Sequence, residues 1–227
     1  MKKQKINTLI ISDIHLGTEV SRANRVMEVL NKYKFKKLIL LGDIFDDLDF
    51  YDMPNEHWQL ISLIHQLSQK TEVVWVEGNH DKGLSKVMSA MFGIKVYKVY
   101  TWNYHRKKCL AIHGHQFDRF LINEPVMSFL ASQIYLFIQK HDFADYRMSR
   151  WIKKRSKGWL RISKKVARSA ILYGRVHGAD NVFCGHTHRA THLKKKGINY
   201  YNSGCWTQIP SSYITLSHGE IKIKRMK

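Results

Sequence analysis

The sequence predicts an α/β fold with parallel strands in its first third and a second, more antiparallel sheet toward its end, and three observations support this. Five short apolar runs rich in β-branched residues, at 8–11, 38–41, 73–76, 109–112 and 181–184, read as buried strands. Helical patterns fill the gaps between the first three, at 22–33 and 55–69, which gives β-α-β-α-β and hence parallel pairing. Beyond Ala190 hairpin signals take over: K-K-K-G at 194–197, N-S-G at 202–204 and S-H-G-E at 217–220 separate short strands.

A chain of 227 residues with 44% apolar content fits one domain, 1–227, with ample core. No internal repeat is visible. The opening M-K-K-Q-K-I-N-T-L-I-I-S-D is basic and then apolar, but Asp13 breaks the run and no small-residue cleavage site succeeds it, so no signal peptide is expected. The longest uncharged stretch, 125–139, falls short of the roughly 20 residues that a membrane-spanning helix needs. Cys109, Cys184 and Cys205 form neither an even set nor a C-x-x-C pair. That argues against a disulfide framework and a thiolate zinc site, and fits a reducing cytoplasm.

The residues just beyond each apolar run carry the chemistry. T-L-I-I-S leads into Asp13 and His15; L-I-L-L-G into Asp43, Asp46 and Asp47; V-V-W-V-E-G into Asn79, His80 and Asp81. C-L-A-I leads into His113 and His115, and N-V-F-C-G into His186 and His188. Loops beyond the carboxyl ends of strands in an open α/β sheet converge on one crevice, so these groups are expected to meet. Taken singly, G-D-I-F-D-D reads as a solvated acidic turn, G-N-H-D as a turn and H-G-H as a loop. Five such clusters after five strands read as a metal site. Carboxylates, one carboxamide and imidazoles without thiolates suit Mn, Fe, Zn or Mg. Seven ligand-type residues exceed the needs of one ion and match two, about 3.5 to 4 Å apart and bridged by a carboxylate. The stretch 43–54 does not fit an EF-hand, lacking Gly at its sixth position and Glu at its twelfth.

The motifs D-x-H at 13–15, G-D-x-x-D at 42–46, G-N-H-D at 78–81, H-G-H at 113–115 and G-H-T-H at 185–188 stand in the order found in calcineurin-like metallophosphoesterases, and the chain resembles that family. The resemblance implies a four-layer sandwich, two mixed β-sheets face to face with helices outside. It further implies that Asp13, His15, Asp43 and His188 hold one divalent ion, and that Asp43, Asn79, His113 and His186 hold a second, Mn2+ above Fe, Zn or Mg. His80 is then the catalytic imidazole at the scissile phosphate, with Asp81 fixing its orientation.

Between His115 and His186 lies an insert that the minimal phosphoesterase core does not require. It begins H-G-H-Q-F-D at 113–118 and, with S-D-I-H-L-G-T at 12–18 and Y-Y-N-S-G-C-W at 200–206, resembles the branch of UDP-2,3-diacylglucosamine hydrolases. His80 stands where that branch commonly has arginine. Net charge is +20, and the window 140–175 alone carries twelve Lys or Arg against Asp142 and Asp145. Such a balance implies an anionic partner. Residues 120–175 are expected to form a helical cap, apolar over 125–138 and basic after it, in which Lys164, Lys165 and Arg168 join Asn79, His80 and His115 in binding substrate. The expected partner is a phosphate-bearing, acylated small molecule at an anionic membrane surface, which places the chain on the cytoplasmic face of the membrane. Two other readings remain: a phosphodiesterase or nuclease drawing nucleic acid to its charge, and a non-catalytic binding module with structural metals.

Overall fold

The computed structural model describes residues 3–47, 50–118 and 157–227. The first half runs β1 (Gln4–Lys5), β2 (Thr8–Ile11), α1 (Ala23–Lys32), β3 (Tyr33–Lys34), β4 (Lys37–Leu41), α2 (Asn55–Ser68), β5 (Glu72–Val76), α3 (Ser85–Phe92) and β6 (Lys95–Tyr97). It continues with β7 (Tyr100–Tyr104), β8 (Lys107–Ala111), a 3-10 turn (His115–Phe117), α4 (Lys157–Val176) and β9 (Asn181–Cys184). The last four strands are β10 (Thr191–Lys195), β11 (Ile198–Asn202), β12 (Ser211–Ser217) and β13 (Glu220–Met226).

Two large sheets result, one of six strands in the order β13-β12-β2-β4-β5-β6 and one of five in the order β10-β11-β9-β8-β7. Burial explains why the strands read as unbroken apolar runs. In the six-stranded sheet Leu9, Ile11, Leu38, Leu40, Val73 and Trp75 face α1, α2 and α3, while Ile10, Ile39, Leu41, Val74 and Val76 face the other sheet. Cys109, Ala111, Phe183 and Tyr201 close that seam from the five-stranded side, and Leu110, Val182, Cys184 and Tyr200 turn outward under α4. Both faces of the central strands are covered, so alternation of apolar and polar residues is lost in them, while the edge strands β7, β10 and β13 stay partly exposed. The layers are therefore helix, sheet, sheet, helix. α1 buries Ala23, Val26, Val29 and Leu30, and α2 buries His57, Leu60, Ile61 and Ile64, each set at the spacing of one helical face.

The structure corrects one expectation. The strands beyond Ala190 do not make a sheet of their own: β10 and β11 join β7, β8 and β9, whereas β12 pairs antiparallel with β2 in the first sheet. Ile214 and Leu216 alternate with Tyr213 to face opposite sides of that sheet, which is what draws β12 there. As a consequence the cluster-bearing strands divide between the sheets, β2, β4 and β5 in one and β8 and β9 in the other. The cap expected at 120–175 is described only in its last part. Its described part, 157–175, belongs to α4, an outer layer that buries Ala167, Ala170 and Ile171 against the second sheet. The apolar stretch 125–138 lies outside the described residues. Among those that are described, no helix is long and apolar enough to cross a membrane.

Candidate metal centre

The five clusters meet where the two sheets share an edge. The loops after β2 and β4 extend their parallel pairing past the strands, with Asp13 N–H donating to Gly42 O at 2.9 Å and His15 N–H to Asp43 O at 3.1 Å. The loop after β9 is tied across the seam, His186 N–H donating to Asp13 Oδ1 at 2.9 Å. Asp13, His15 and His188 place one ligating atom each within 4.8 Å of one another, and so do Asp43, His113 and His186. In the first group His188 Nε2 lies 3.2 Å from Asp13 Oδ1 and 3.2 Å from His15 Nε2. In the second His113 Nε2 lies 3.0 Å from Asp43 Oδ2, outside hydrogen-bonding geometry. Asn79 Oδ1 is sealed from solvent without a hydrogen-bond partner among the described residues. Buried polar atoms are rarely left so, and a carboxamide oxygen in a turn whose Gly78 and His80 both meet Asp43 fits a divalent cation.

Backbone strain marks the same residues. Outside hairpin turns, every described non-glycine residue with positive φ is one of these: Asp13 (52°), His15 (54°), Asp43 (51°), His186 (63°) and His188 (51°). Each left-handed residue costs on the order of 1 kcal/mol, which the surrounding loops must offset. The motif glycines permit close approach. A Cβ on Gly78 would overlap Asp43 Oδ1 and the Asp43 backbone nitrogen, and one on Gly185 would overlap Asp13 Oδ2. Gly78→Ala is therefore expected to displace Asp43, destabilising the fold by about 1–3 kcal/mol and weakening metal binding together. Thermal unfolding and metal content measured on one preparation check this, and a variant unchanged in both would contradict it.

At the centre, buried carboxylates and imidazoles set one another's charge. Burial opposes ionisation of Asp43, but His113, His80 and His15 outweigh it and hold its carboxyl well below the usual range. Asp13 is lowered in the same way, against burial, by His188 and His113. Burial also opposes a charge on His113, and the carboxylates of Asp43 and Asp13 raise it nonetheless to about 10. His115 behaves oppositely: burial, then the adjacent His113 and His186, push it down to about 3, so its ring stays neutral. It stands behind those two ligand candidates, with ring centroids 5.5 Å and 6.4 Å away.

His80 is half-buried beside His15, its ring 5.0 Å away, and its backbone N–H donates to Asp43 Oδ1 at 3.0 Å. The sequence pairs its imidazole with Asp81, but the structure pairs it with Asp46. His80 Nδ1 meets the carbonyl oxygen of Asp46, whose carboxylate also binds His15 Nδ1 at 2.7 Å. The Asp81 carboxylate accepts instead from Ile44 N–H (3.0 Å), Phe45 N–H (3.1 Å), Gly78 N–H (3.3 Å) and the Trp75 indole (3.2 Å). Asp81 thus braces the turn that carries Asp43. Burial and the Asp43 charge push it up to about 6 against those donors.

Asn202 lies in the Y-Y-N-S-G-C-W stretch, whose sequence does not assign it a role at the centre. Its amide donates to Gly185 O at 2.6 Å and Thr187 Oγ1 at 3.2 Å, and its carbonyl accepts from Gly204 N–H at 3.0 Å, so it holds the G-H-T-H loop from beneath. Lys164, Lys165 and Arg168 are exposed on α4 rather than gathered into the clusters. The near end of that helix does border the centre, the Trp159 ring lying 6.4 Å from that of His188. At 1.5 Å per residue, the three cations stand roughly 7 to 14 Å further along the axis.

A two-sheet α/β sandwich with paired carboxylate–imidazole clusters at the common edge of its sheets has the build of a metal-dependent phosphoester hydrolase. The family model for the calcineurin-like phosphoesterase superfamily domain matches residues 6–219, and the chain belongs to that superfamily. No curated protein matches it in sequence. Among solved structures it is similar to an archaeal phosphodiesterase, with 14% identity over 96% of this chain and 99% of that chain and a TM-score of 0.53. The phosphoesterase YfcE from E. coli gives 15% identity over 97% and 99%, also with a TM-score of 0.53. Vacuolar protein sorting 29 from Cryptosporidium parvum gives 14% over 96% and 95%, with a TM-score of 0.50. Identities this low show a common fold.

Proposed function

We propose that the chain hydrolyses a phosphodiester or pyrophosphate bond in a lipid-linked or UDP-sugar substrate of the UDP-2,3-diacylglucosamine type, using two divalent ions, Mn2+ foremost. The observation that carries the hydrolytic part is the pair of clusters, together with a sealed Asn79 Oδ1 that has no partner among the described residues and precedes His80, whose backbone N–H donates to Asp43. Asp13, His15, Asp43 and His188 would hold one ion, and Asp43, Asn79, His113 and His186 the other. When bound, the ions supply Lewis acidity toward phosphate oxygens and lower the pKa of water.

The remaining steps belong to the chain. His80, with Nδ1 held by the Asp46 carbonyl, offers Nε2 to the leaving oxygen or to a phosphate oxygen. Asp46 orients both His80 and His15, and Asp81 keeps the Asp43 turn in place.

The lipid-linked substrate is supported by the stretches S-D-I-H-L-G-T, H-G-H-Q-F-D and Y-Y-N-S-G-C-W and by the exposed face of α4. There Leu172 and Val176, 56% and 75% exposed, come after Lys164, Lys165 and Arg168, a mixture suited to an anionic membrane surface on the cytoplasmic side. The same basic row favours nucleic acid as a second reading. A panel decides between them: the Mn2+-loaded chain is offered a lipid-linked UDP-sugar, a nitrophenyl phosphodiester, a nitrophenyl monoester, a cyclic nucleotide and single-stranded DNA, and kcat/KM is ranked. The UDP-sugar is expected to lead. If single-stranded DNA or the simple diester leads, the substrate assignment is wrong while the hydrolase stands.

A further inference from the structure

We propose that Asp118 is the positioning residue of His186, fixing its imidazole so that Nδ1 is the nitrogen offered to a divalent cation. This rests on the reading of His186 as a metal ligand and adds which of its atoms binds and what selects it. Asp118 closes the H-G-H-Q-F-D stretch, and neither the motif matches nor the clusters described above assign it a role.

The geometry is specific. Asp118 Oδ2 lies 3.0 Å from His186 Nε2, and both side chains are about a tenth exposed, at 10% and 11%. A neutral imidazole has one N–H and one lone pair. With the N–H at Nε2 donated to the carboxylate, the lone pair is left at Nδ1. His113, in the same cluster, is set the other way: its Nδ1 donates to Leu41 O at 2.9 Å, leaving Nε2 for the cluster. Two histidines of one cluster therefore present different nitrogens, and in each case an oxygen outside the cluster makes the choice. His15 obeys the same scheme through Asp46. Such outer carboxylates fix ring orientation and raise ligand basicity.

The 3-10 turn after His113 puts Asp118 in place. Phe117 N–H donates to Gly114 O and Asp118 N–H to His115 O, each at 3.0 Å, and the Phe117 ring packs 5.8 Å from Tyr173 of α4. One six-residue segment, 113–118, thus carries a ligand on the β8 side and the group that orients a ligand on the β9 side. Loss of the carboxylate would let the His186 ring change tautomer or turn. One cation would be weakened and the other spared, because His186 belongs only to the group of Asp43 and His113.

The test uses the full chain as wild type, Asp118→Ala and Asp118→Asn, with Mn2+ binding followed by equilibrium dialysis and elemental analysis. One of two Mn2+ sites is expected to weaken by about 10- to 100-fold in Asp118→Ala, with the other unchanged and kcat largely regained at saturating Mn2+. Asp118→Asn keeps an acceptor oxygen of the same size and is expected to fall between. A merely structural role would lower the unfolding temperature of the metal-free protein and leave both isotherms alone. Wild-type isotherms in both variants overturn the proposal, as does a loss in Asp118→Asn that excess Mn2+ does not repair. A wild-type chain that bound no Mn2+ would instead overturn the metal reading and this proposal with it.

Discussion

Replacing Asp43 by alanine is expected to empty both metal positions and lower turnover by at least about 10³-fold, since the proposed function gives this one carboxylate to both ions and makes the ions the source of the chemistry. Asp43 is 2% exposed, with Oδ1 on the His80 backbone N–H and Oδ2 facing His113. Its removal strips a negative charge from the centre and takes the carboxylate from the group of His113 and His186. Elemental analysis of the purified variant reads the metal, and circular dichroism shows whether the sandwich persists. Asp43→Asn preserves volume and separates loss of charge from loss of packing; it too is expected to lose metal. A variant that kept two ions and near-normal turnover would reject Asp43 as the bridge.

His80→Ala is expected to behave differently, retaining metal while kcat falls by roughly 10²-fold or more, the usual scale for a positioned acid or base. His80 touches the centre through its backbone N–H, which alanine keeps. The leaving group refines the test. Nitrophenolate departs without a proton, so if His80 protonates the leaving oxygen, the loss should be smaller on a nitrophenyl ester than on a sugar phosphate. Equal losses on both would assign it to the phosphate oxygens instead, and unchanged kcat at saturation would remove it from the reaction.

Much of this centre is legible in the sequence because each ligand candidate sits within four residues of a strand end, and strands buried on both faces announce themselves as apolar runs. The α1 and α2 periodicities and all five cluster-bearing strands appear where the sequence places them. The partition of those strands between two sheets is not legible. Val182 in β9 and Val74 in β5 are equally apolar, and nothing local tells which sheet either will join. The roles of the supporting residues are hidden for a related reason: Asp46, Asp118 and Asn202, though they lie in stretches the sequence marks, act on partners 31, 68 and 17 residues away, contacts that only the folded chain creates. The Asp81 assignment fails on geometry. Neighbours in a tight turn point apart, so the residue after His80 braces the backbone beneath it while a residue from another loop reaches the imidazole.

The seam between the sheets has two kinds of surface. Its interior is aliphatic and aromatic, Ile10, Ile39 and Val76 against Ala111, Phe183 and Tyr201, and such contacts are non-directional. Its rim is polar: Ser12 Oγ meets Ser203 Oγ at 2.6 Å, Trp206 N–H donates to Asp13 O at 2.9 Å, and His113 reaches Leu41 O. A greasy interface by itself tolerates sliding, as two oiled plates do. The rim works as a key in a keyway, permitting one offset between the plates and no other. Ligands carried on different plates then keep a constant spacing without a rigid loop between them.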